Sequence, residues 1–139
     1  ATTRTSTGAM EPEVQVLIMD TIGELSSVYR MGDIVFVGGS LVPKGGHNIL
    51  EPAIYGKPII VGPHMHNFKD IHALFTQYDA CVTVHEPEEL AATIIDLLNN
   101  KDRAEELGQN ALHIMEKNQG ATALTIQHIK EVMLEKTTH

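Results

Sequence analysis

Residues 35–68, VFVGGSLVPKGGHNILEPAIYGKPIIVGPHMHNF, decide the fold of this chain. An apolar strand, Ile34–Val37, leads into the diglycines Gly38–Gly39 and Gly45–Gly46, and a second apolar strand, Pro58–Val61, leads into another polar loop. In α/β proteins, nucleotides and sugar phosphates bind at the carboxyl ends of parallel strands, next to loops of this kind. The stretch therefore predicts a nucleotide or sugar-phosphate site at the edge of a parallel sheet.

The remainder of the chain continues the same alternation of strands and helices. Near-continuous apolar runs, typical of parallel strands covered on both faces, occur at Val14–Met19, Ile34–Val37, Ile59–Val61 and Cys81–Val84. Helical periodicity lies between them and continues from Glu86 onward, with a last predicted helix at Thr122–Glu135. The predicted class is α/β, a Rossmann-like domain with a parallel sheet.

Composition narrows the possible partners and locations. The chain has 139 residues, which fits one domain, 1–139. Its formal net charge of −8 argues against a nucleic-acid partner, because a phosphate backbone would be repelled. The single cysteine, Cys81, lies in an apolar run and is expected to be buried. No apolar run approaches the roughly 20 residues of a membrane helix, so we expect the chain itself to be soluble.

The turn Asp20–Leu25 leaves one predicted strand and enters a helix, which places it at the ligand-binding edge of the sheet. Thr21 and Glu24 have the spacing of a capping box, in which both side chains satisfy unpaired helix N–H groups. Gly23 favours a functional role as well, because glycine in a first helical turn costs about 1 kcal/mol relative to alanine. A closely approaching ligand would explain that glycine.

The segment Gly45–Glu51 combines backbone donors with a carboxylate. Since proline lacks an N–H, Pro52 allows a helix that begins no earlier than about Asn48 as its cap. The preceding loop, Gly45–Asn48, then lies at the positive end of the helix dipole and can hold a phosphate. Glu51 can accept hydrogen bonds from a ribose diol. The alternative is that Asn48 and Glu51 form a second capping pair and the glycines serve only as turns.

The third polar loop contains His64, His66 and Asn67. His64 and Asn67 are expected to line the ligand cleft and His66 to face solvent. A metal site that uses His64, His66 and His72 is disfavoured, because no cysteine or carboxylate stands at ligand spacing, and we predict neither a metal nor a cofactor.

Four phrases, DTIGEL, FVGGSLV, GGHNILEPA and GPHMHNFKDI, in this order and spacing resemble the carboxyl-terminal nucleotide-binding half of 3-deoxy-D-manno-octulosonic acid (Kdo) transferases. The resemblance runs from about Arg4 to Asn118–Gly120. These enzymes have the two-domain GT-B architecture, and the resemblance implies an inverting transfer of Kdo from CMP-Kdo to a lipid A precursor in lipopolysaccharide biosynthesis.

The resemblance also implies which residues contact the nucleotide. They come from the DTIGEL and GGHNILEP motifs: Ile22, Gly23, Glu24, Asn48, Ile49, Leu50 and Glu51. Further candidates from the same loops are Ser40, Gly45, Gly46, His47 and Asn67.

Two features of the family have no counterpart in the chain. One is the catalytic glutamate of the amino-terminal domain, and the other is the Pro-Arg-His turn after the first strand of the nucleotide domain. The chain therefore resembles a donor-binding fragment, incomplete at its amino terminus and inactive alone. Thr2–Ser6 would be a remnant of the second strand, and a gap beside Ile34–Val37 would distort the sheet or favour self-association.

Two other functions remain open from the sequence. The chain could be the donor-binding half of another GT-B enzyme that uses a UDP-sugar, or an interaction module whose polar clusters are only helix caps. For the whole Kdo transferase, the resemblance implies a location at the cytoplasmic face of the bacterial inner membrane.

Overall fold

The computed structural model describes residues 2–3 and 15–117, and these form a parallel α/β fold. The strands are β1 (Thr2–Thr3), β2 (Leu17–Ile18), β3 (Val35–Phe36), β4 (Ile59–Val61) and β5 (Val82–Thr83). The helices are α1 (Leu25–Tyr29), α2 (Leu50–Ala53), α3 (Lys69–Gln77), α4 (Pro87–Asn99) and a last described helix, α5, at 101–117. A 3-10 turn, His66–Phe68, precedes α3. The predicted fold class is confirmed, while the helix predicted at Thr122–Glu135 lies outside the described residues.

Strand β4 is the centre of the larger sheet, which has the order β3-β4-β5. Its three residues are fully buried, at 0% exposure each. Ile59 and Val61 pack into one apolar cluster with Phe75 of α3, whereas Ile60 points to the other face and packs with Leu107 of α5. Burial on both faces explains why this strand reads as a continuous apolar run.

Strand β3 pairs with β4 and with no other strand among the described residues. The amides of Val35 and Val37 donate to the carbonyls of Pro58 and Ile60 at 3.0 Å, so the amide and carbonyl of Phe36 face the opposite edge. Strands β1 and β2 form a separate parallel pair, Thr2 with Leu17 and Thr3 with Ile18. The described strands thus form two separate sheets, and the break lies beside β3, where the sequence predicted a gap.

Helix α1 begins later than its capping pattern predicts, whereas α2 begins within its predicted limit. Helix α1 begins at Leu25, so Glu24 occupies the cap position, and no side chain caps the helix. The Thr21 hydroxyl instead donates to the Glu24 carboxylate at 2.5 Å. Helix α2 begins at Leu50, which agrees with a start no earlier than about Asn48 as cap, and the side-chain oxygen Oδ1 of Asn48 accepts the Leu50 amide at 3.0 Å.

A bidentate ion pair joins the end of α3 to the start of α5. Arg103 donates to both carboxylate oxygens of Asp79, at 2.5 and 2.8 Å. This hydrogen bonding lowers the pKa of Asp79, which follows α3 with a positive φ of 53°. Nearby Cys81 is buried, as predicted, and burial raises the pKa of its thiol to about 11.

Helix α5 packs on the turn after α2 through two glycines. A Cβ on Gly108 would lie 1.9 Å from the carbonyl oxygen of Gly56, closer than any real contact. The backbone of α5 therefore rests directly on the turn that ends α2, which fixes α2 on the sheet.

We expect Gly108→Ala to destabilise the fold by about 1–3 kcal/mol, because the new methyl group must displace the Gly56 backbone. The intrinsic helix preference for alanine, about 1 kcal/mol, acts in the opposite direction, so a net loss isolates the packing effect. The measurement is the free energy of unfolding from urea denaturation.

Gly32→Ala is the matched control. A Cβ on Gly32 would meet its nearest atoms at 3.7 Å, an ordinary contact. Equal stability changes in the two variants would contradict the close packing of α5 on Gly56.

Candidate functional site

An open cleft of about 940 Å³ lies where β3 ends, between α1 and the loops that follow β3 and β4. It brings together residues that are distant in the sequence. The lining residues are Leu25, Tyr29, Phe36, Val37, Gly38, Gly39, Lys44, Gly46, His47, Asn48, Glu51, Asn67 and Phe68. Of the sequence-predicted site residues, Gly46, His47, Asn48, Glu51 and Asn67 thus line one cleft.

The loop after β3 folds back on itself at the two diglycines. The amide of Gly46 donates to the carbonyl of Gly39 at 3.1 Å. Gly39 has a positive φ of 70°, and a Cβ there would lie 3.6 Å from the His47 ring and 3.7 Å from Cβ of Lys44. Both side chains therefore lie against the same point of the diglycine turn.

Asn67, from the loop after β4, holds this glycine loop in place. Its side-chain amide donates to the carbonyl of Lys44 at 3.3 Å, and its main-chain amide donates to the carbonyl of Gly45 at 3.2 Å. A Cβ on Gly45 would lie 2.3 Å from the Asn67 side chain, and one on Gly46 would lie 2.3 Å from the sulfur of buried Met65. The second diglycine is required by these two close approaches as well as by its positive φ angles.

Backbone donors are available next to Glu51. Within residues 15–117, the amides of Gly38, His47 and Asn48 donate to no other described residue. Glu51 is exposed in the first turn of α2 and faces the same cleft. The arrangement can bind an anion through amide donors and a diol through the carboxylate.

Tyr29 of α1 is a cleft residue that the sequence did not identify. The spacing of Leu25 and Tyr29 is typical of the buried face of a helix, but both side chains line the cleft. Partial burial raises the pKa of Tyr29, and the negative charge of Glu51 raises it further. The phenol and the carboxylate are therefore near neighbours, on helices whose packing the sequence pattern does not reveal.

Ser40 has its polar contacts inside the fold. Its side chain is fully buried, and its hydroxyl donates to the carbonyl of Val37 at 2.5 Å. The same oxygen accepts the amide of Gly62 at 2.8 Å, and the carbonyl of Ser40 accepts the amide of His64 at 2.9 Å. Ser40 thus joins the ends of β3 and β4, which puts both loops on one side of the sheet.

The DTIGEL turn lies next to the cleft without lining it. Ile22 is fully exposed and Gly23 has a positive φ of 88° with open space around its Cα. Glu24 immediately precedes Leu25, which does line the cleft. The role of Ile22–Glu24 in ligand binding stays a prediction.

The apolar members of the second motif are packed into the protein. Ile49 is fully buried in the core, and Leu50 is half-buried against the same cluster. Only the backbone of Ile49 is therefore open to a ligand, and the assignment of both residues as contacts stays a prediction.

The histidines of the third loop and of α3 have different surroundings. Within the described residues, no three His, Cys, Asp or Glu side chains come together as a metal would require. His64 is half-buried and outside the cleft lining, His66 is exposed as predicted, and His72 bonds to Thr83 at 3.0 Å.

Comparison with known proteins places the chain among glycosyltransferases. Residues 3–113 match the sequence family described as "Glycosyl transferases group 1". The chain is 36% identical over 129 residues to a 3-deoxy-D-manno-octulosonic acid transferase of Haemophilus influenzae, covering 91% of this chain and 30% of that protein. It is 32% identical over 130 residues to the transferase of the same name from Bordetella pertussis, covering 92% and 30% respectively.

A solved structure agrees with these relatives. The crystal structure of the C-terminal CMP-Kdo binding domain of WaaA from Acinetobacter baumannii matches with a TM-score of 0.77 and 32% sequence identity, covering 82% of this chain and 60% of that chain. The resemblance inferred from the four motifs is thereby confirmed. The chain spans about 30% of the length of the two transferases. None of the helices in the described residues is long and apolar enough to cross a membrane.

We expect Ser40→Ala to cost about 1–3 kcal/mol in the free energy of unfolding, because the buried amide of Gly62 loses its acceptor. Chemical denaturation measures the loss. Ser27→Ala, at an exposed position of α1, is the control. A loss no larger than that of the control would show that the serine junction contributes little to stability.

We expect Glu51→Gln to lower the pKa of Tyr29, because the carboxylate charge that disfavours the phenolate is removed while burial remains. A pH titration of ¹³C-labelled tyrosine by NMR measures the shift, with exposed Glu105→Gln on α5 as the control. An unchanged Tyr29 pKa would mean that Glu51 and Tyr29 do not face each other across the cleft in solution.

Proposed function

The chain belongs to the group 1 glycosyl transferases, and we propose that within them it is the part of a Kdo transferase that binds the donor, CMP-Kdo. The observation that carries the proposal is the cleft, in which open backbone amides and the Glu51 carboxylate meet at the carboxyl end of β3. A nucleotide sugar offers the matching groups, a ribose diol and a phosphate. The similar solved domain, described as binding CMP-Kdo, supports this choice of ligand.

In this proposal Glu51 orients the ribose. An ionised carboxylate accepts two hydrogen bonds, which suits the 2′- and 3′-hydroxyls. Glu51 is exposed on the first turn of α2, so it can be reached without displacing a core residue. Tyr29 lines the same cleft, and it lies close enough for the charge of Glu51 to raise the pKa of its phenol.

The phosphate of the donor would be held by loop amides rather than by a helix dipole. Helix α2 has four residues, too few for a strong macrodipole, so the expectation from the sequence is revised on this point. The amides of Gly38, His47 and Asn48 are the available donors, and the hydrogen bonds of Asn67 hold their loop in position. Donors fixed in advance stabilise the charge on departing CMP.

The remaining motif residues would position the cytidine. Gly23 and Glu24 lie beside Leu25 at the edge of the cleft, and the exposed side chain of Ile22 is free to cover a base. Ile49 and Leu50 would contribute backbone groups, since Ile49 is wholly buried.

For the whole enzyme we propose transfer of Kdo to a lipid A precursor at the cytoplasmic face of the inner membrane. A base from another part of the enzyme would take the proton of an acceptor hydroxyl as its oxygen attacks the anomeric carbon of Kdo. The bond from that carbon to the phosphate oxygen breaks, and CMP leaves. The described residues supply the donor side of this reaction.

We expect CMP to shift the backbone NMR signals of Gly23–Glu24 and Gly45–Glu51 more strongly than UMP does, because the site is proposed to read cytidine. Glu51→Gln should weaken CMP binding about ten-fold or more, the value of one charge-assisted hydrogen bond to the ribose. Heteronuclear NMR titration measures both effects on the 139-residue chain.

Glu105→Gln, an exposed carboxylate of α5, is the matched control and should leave CMP affinity unchanged. Stronger binding of UMP would point to a UDP-sugar enzyme. Glu51→Gln with full CMP affinity would contradict the ribose assignment.

A further inference from the structure

Two basic side chains in the cleft have no partner in the described protein. Lys44 and His47 both line the cleft, and both are exposed. Within residues 15–117 neither side chain forms a hydrogen bond or an ion pair with another described residue. Basic side chains in a cleft attract anions and can donate charge-assisted hydrogen bonds to them, so this pair suits an anionic ligand.

The two side chains are held close together by the shape of their loop. A Cβ on Gly39 would lie 3.6 Å from the His47 ring and 3.7 Å from Cβ of Lys44, so both residues flank one glycine. The amide of Gly46 and the side chain of Asn67 fix the loop on either side of them. The pair therefore forms one basic corner of the cleft, here called the Lys44–His47 corner.

The negative net charge of the chain limits where an anion can bind. The chain carries a formal charge of −8, which repels anions in general. Among the described residues that line the cleft, Glu51 is the single carboxylate. An anion is therefore attracted only where its charge can be placed against the corner at short range, since distant charges are screened.

The proposed donor carries one anionic group more than its nucleotide part. Kdo is a ketose acid, so its anomeric carbon bears both the carboxylate and the oxygen that joins it to the phosphate. The two anions lie a few bonds apart, and a site for one must accommodate the other. The amides of Gly38 and Asn48 suit the phosphate, which leaves the basic corner for the second anion.

We infer that Lys44 and His47 bind the carboxylate of the donor sugar and select a sugar acid over a neutral sugar. This inference rests on the proposed function and adds a role for two side chains that it left unassigned. A lysine ammonium and an imidazole N–H both donate to carboxylate oxygens. A neutral sugar at the same place would leave the corner unpaired and desolvated, which is costly.

The test is a series of three ligands, cytidine, CMP and CMP-Kdo, titrated into the 139-residue chain by calorimetry. The step from cytidine to CMP measures the phosphate contribution. The step from CMP to CMP-Kdo adds the sugar acid and turns the dianionic phosphate monoester into a monoanionic diester, so the carboxylate contact is measured by how this step differs between wild type and variants. Lys44→Gln and His47→Gln remove the basic groups singly, and Lys44→Arg retains the charge. Lys101→Gln and His113→Gln, exposed positions of α5 away from the cleft, are the matched controls.

The expected result is that the affinity ratio of CMP-Kdo to CMP falls about ten-fold in Lys44→Gln and in His47→Gln, as for the loss of one charge-assisted hydrogen bond. Lys44→Arg should lower the affinity ratio less than Lys44→Gln does, and the two α5 variants should have the wild-type ratio.

Three results would overturn the inference. A ratio that stays at the wild-type value while the cytidine-to-CMP step shrinks would assign both side chains to the phosphate. Wild-type protein that binds CMP and CMP-Kdo equally would remove the carboxylate site but leave the proposed function standing. Wild-type protein that binds neither nucleotide would overturn both.

Discussion

Ser40 joins the two strands on which the candidate site depends. Its hydroxyl links the carbonyl of Val37 at the end of β3 to the amide of Gly62 at the end of β4, in a fully buried position. A Cβ on Gly62 would lie 2.2 Å from the Ser40 carbonyl oxygen, so the two backbones are in direct contact. The loops that follow β3 and β4 are thereby brought to the same edge of the sheet.

A second consequence of that junction is that the glycine loop after β3 is held in place by the loop after β4. Asn67 reaches across to the carbonyls of Lys44 and Gly45, and Met65 fills the space that a side chain on Gly46 would need. These contacts fix the backbone of the loop and therefore the positions of its amides. Such preorganisation reduces the entropy cost of binding, which suits the proposed binding of an anionic nucleotide sugar by an acidic chain.

The predictions from the sequence were most successful where a pattern is local. The apolar runs at 34–37, 59–61 and 81–84 became parallel strands because burial on both faces requires them to be apolar. The motif GGHNILE supplied Gly46, His47, Asn48 and Glu51 to one cleft, since closely spaced residues of a single loop stay together. The start of α1 was predicted less accurately, because a capping pattern permits several starts and the Thr21 hydroxyl bonds to the Glu24 side chain instead.

Tyr29, Phe36 and Ser40 show what the sequence left open. Tyr29 has the spacing of a core residue, and only the packing of α1 beside α2 turns it toward Glu51. Phe36 lines the cleft because β3 has no described neighbour on that edge, and Ser40 reads as a loop hydroxyl although it is fully buried. The sequence by itself determined the fold class, the family and the chemical groups of the site, because these follow from local periodicity and from motif identity. The tertiary structure alone decided which of those groups share a cleft, because contacts between distant segments depend on how helices and strand ends pack together.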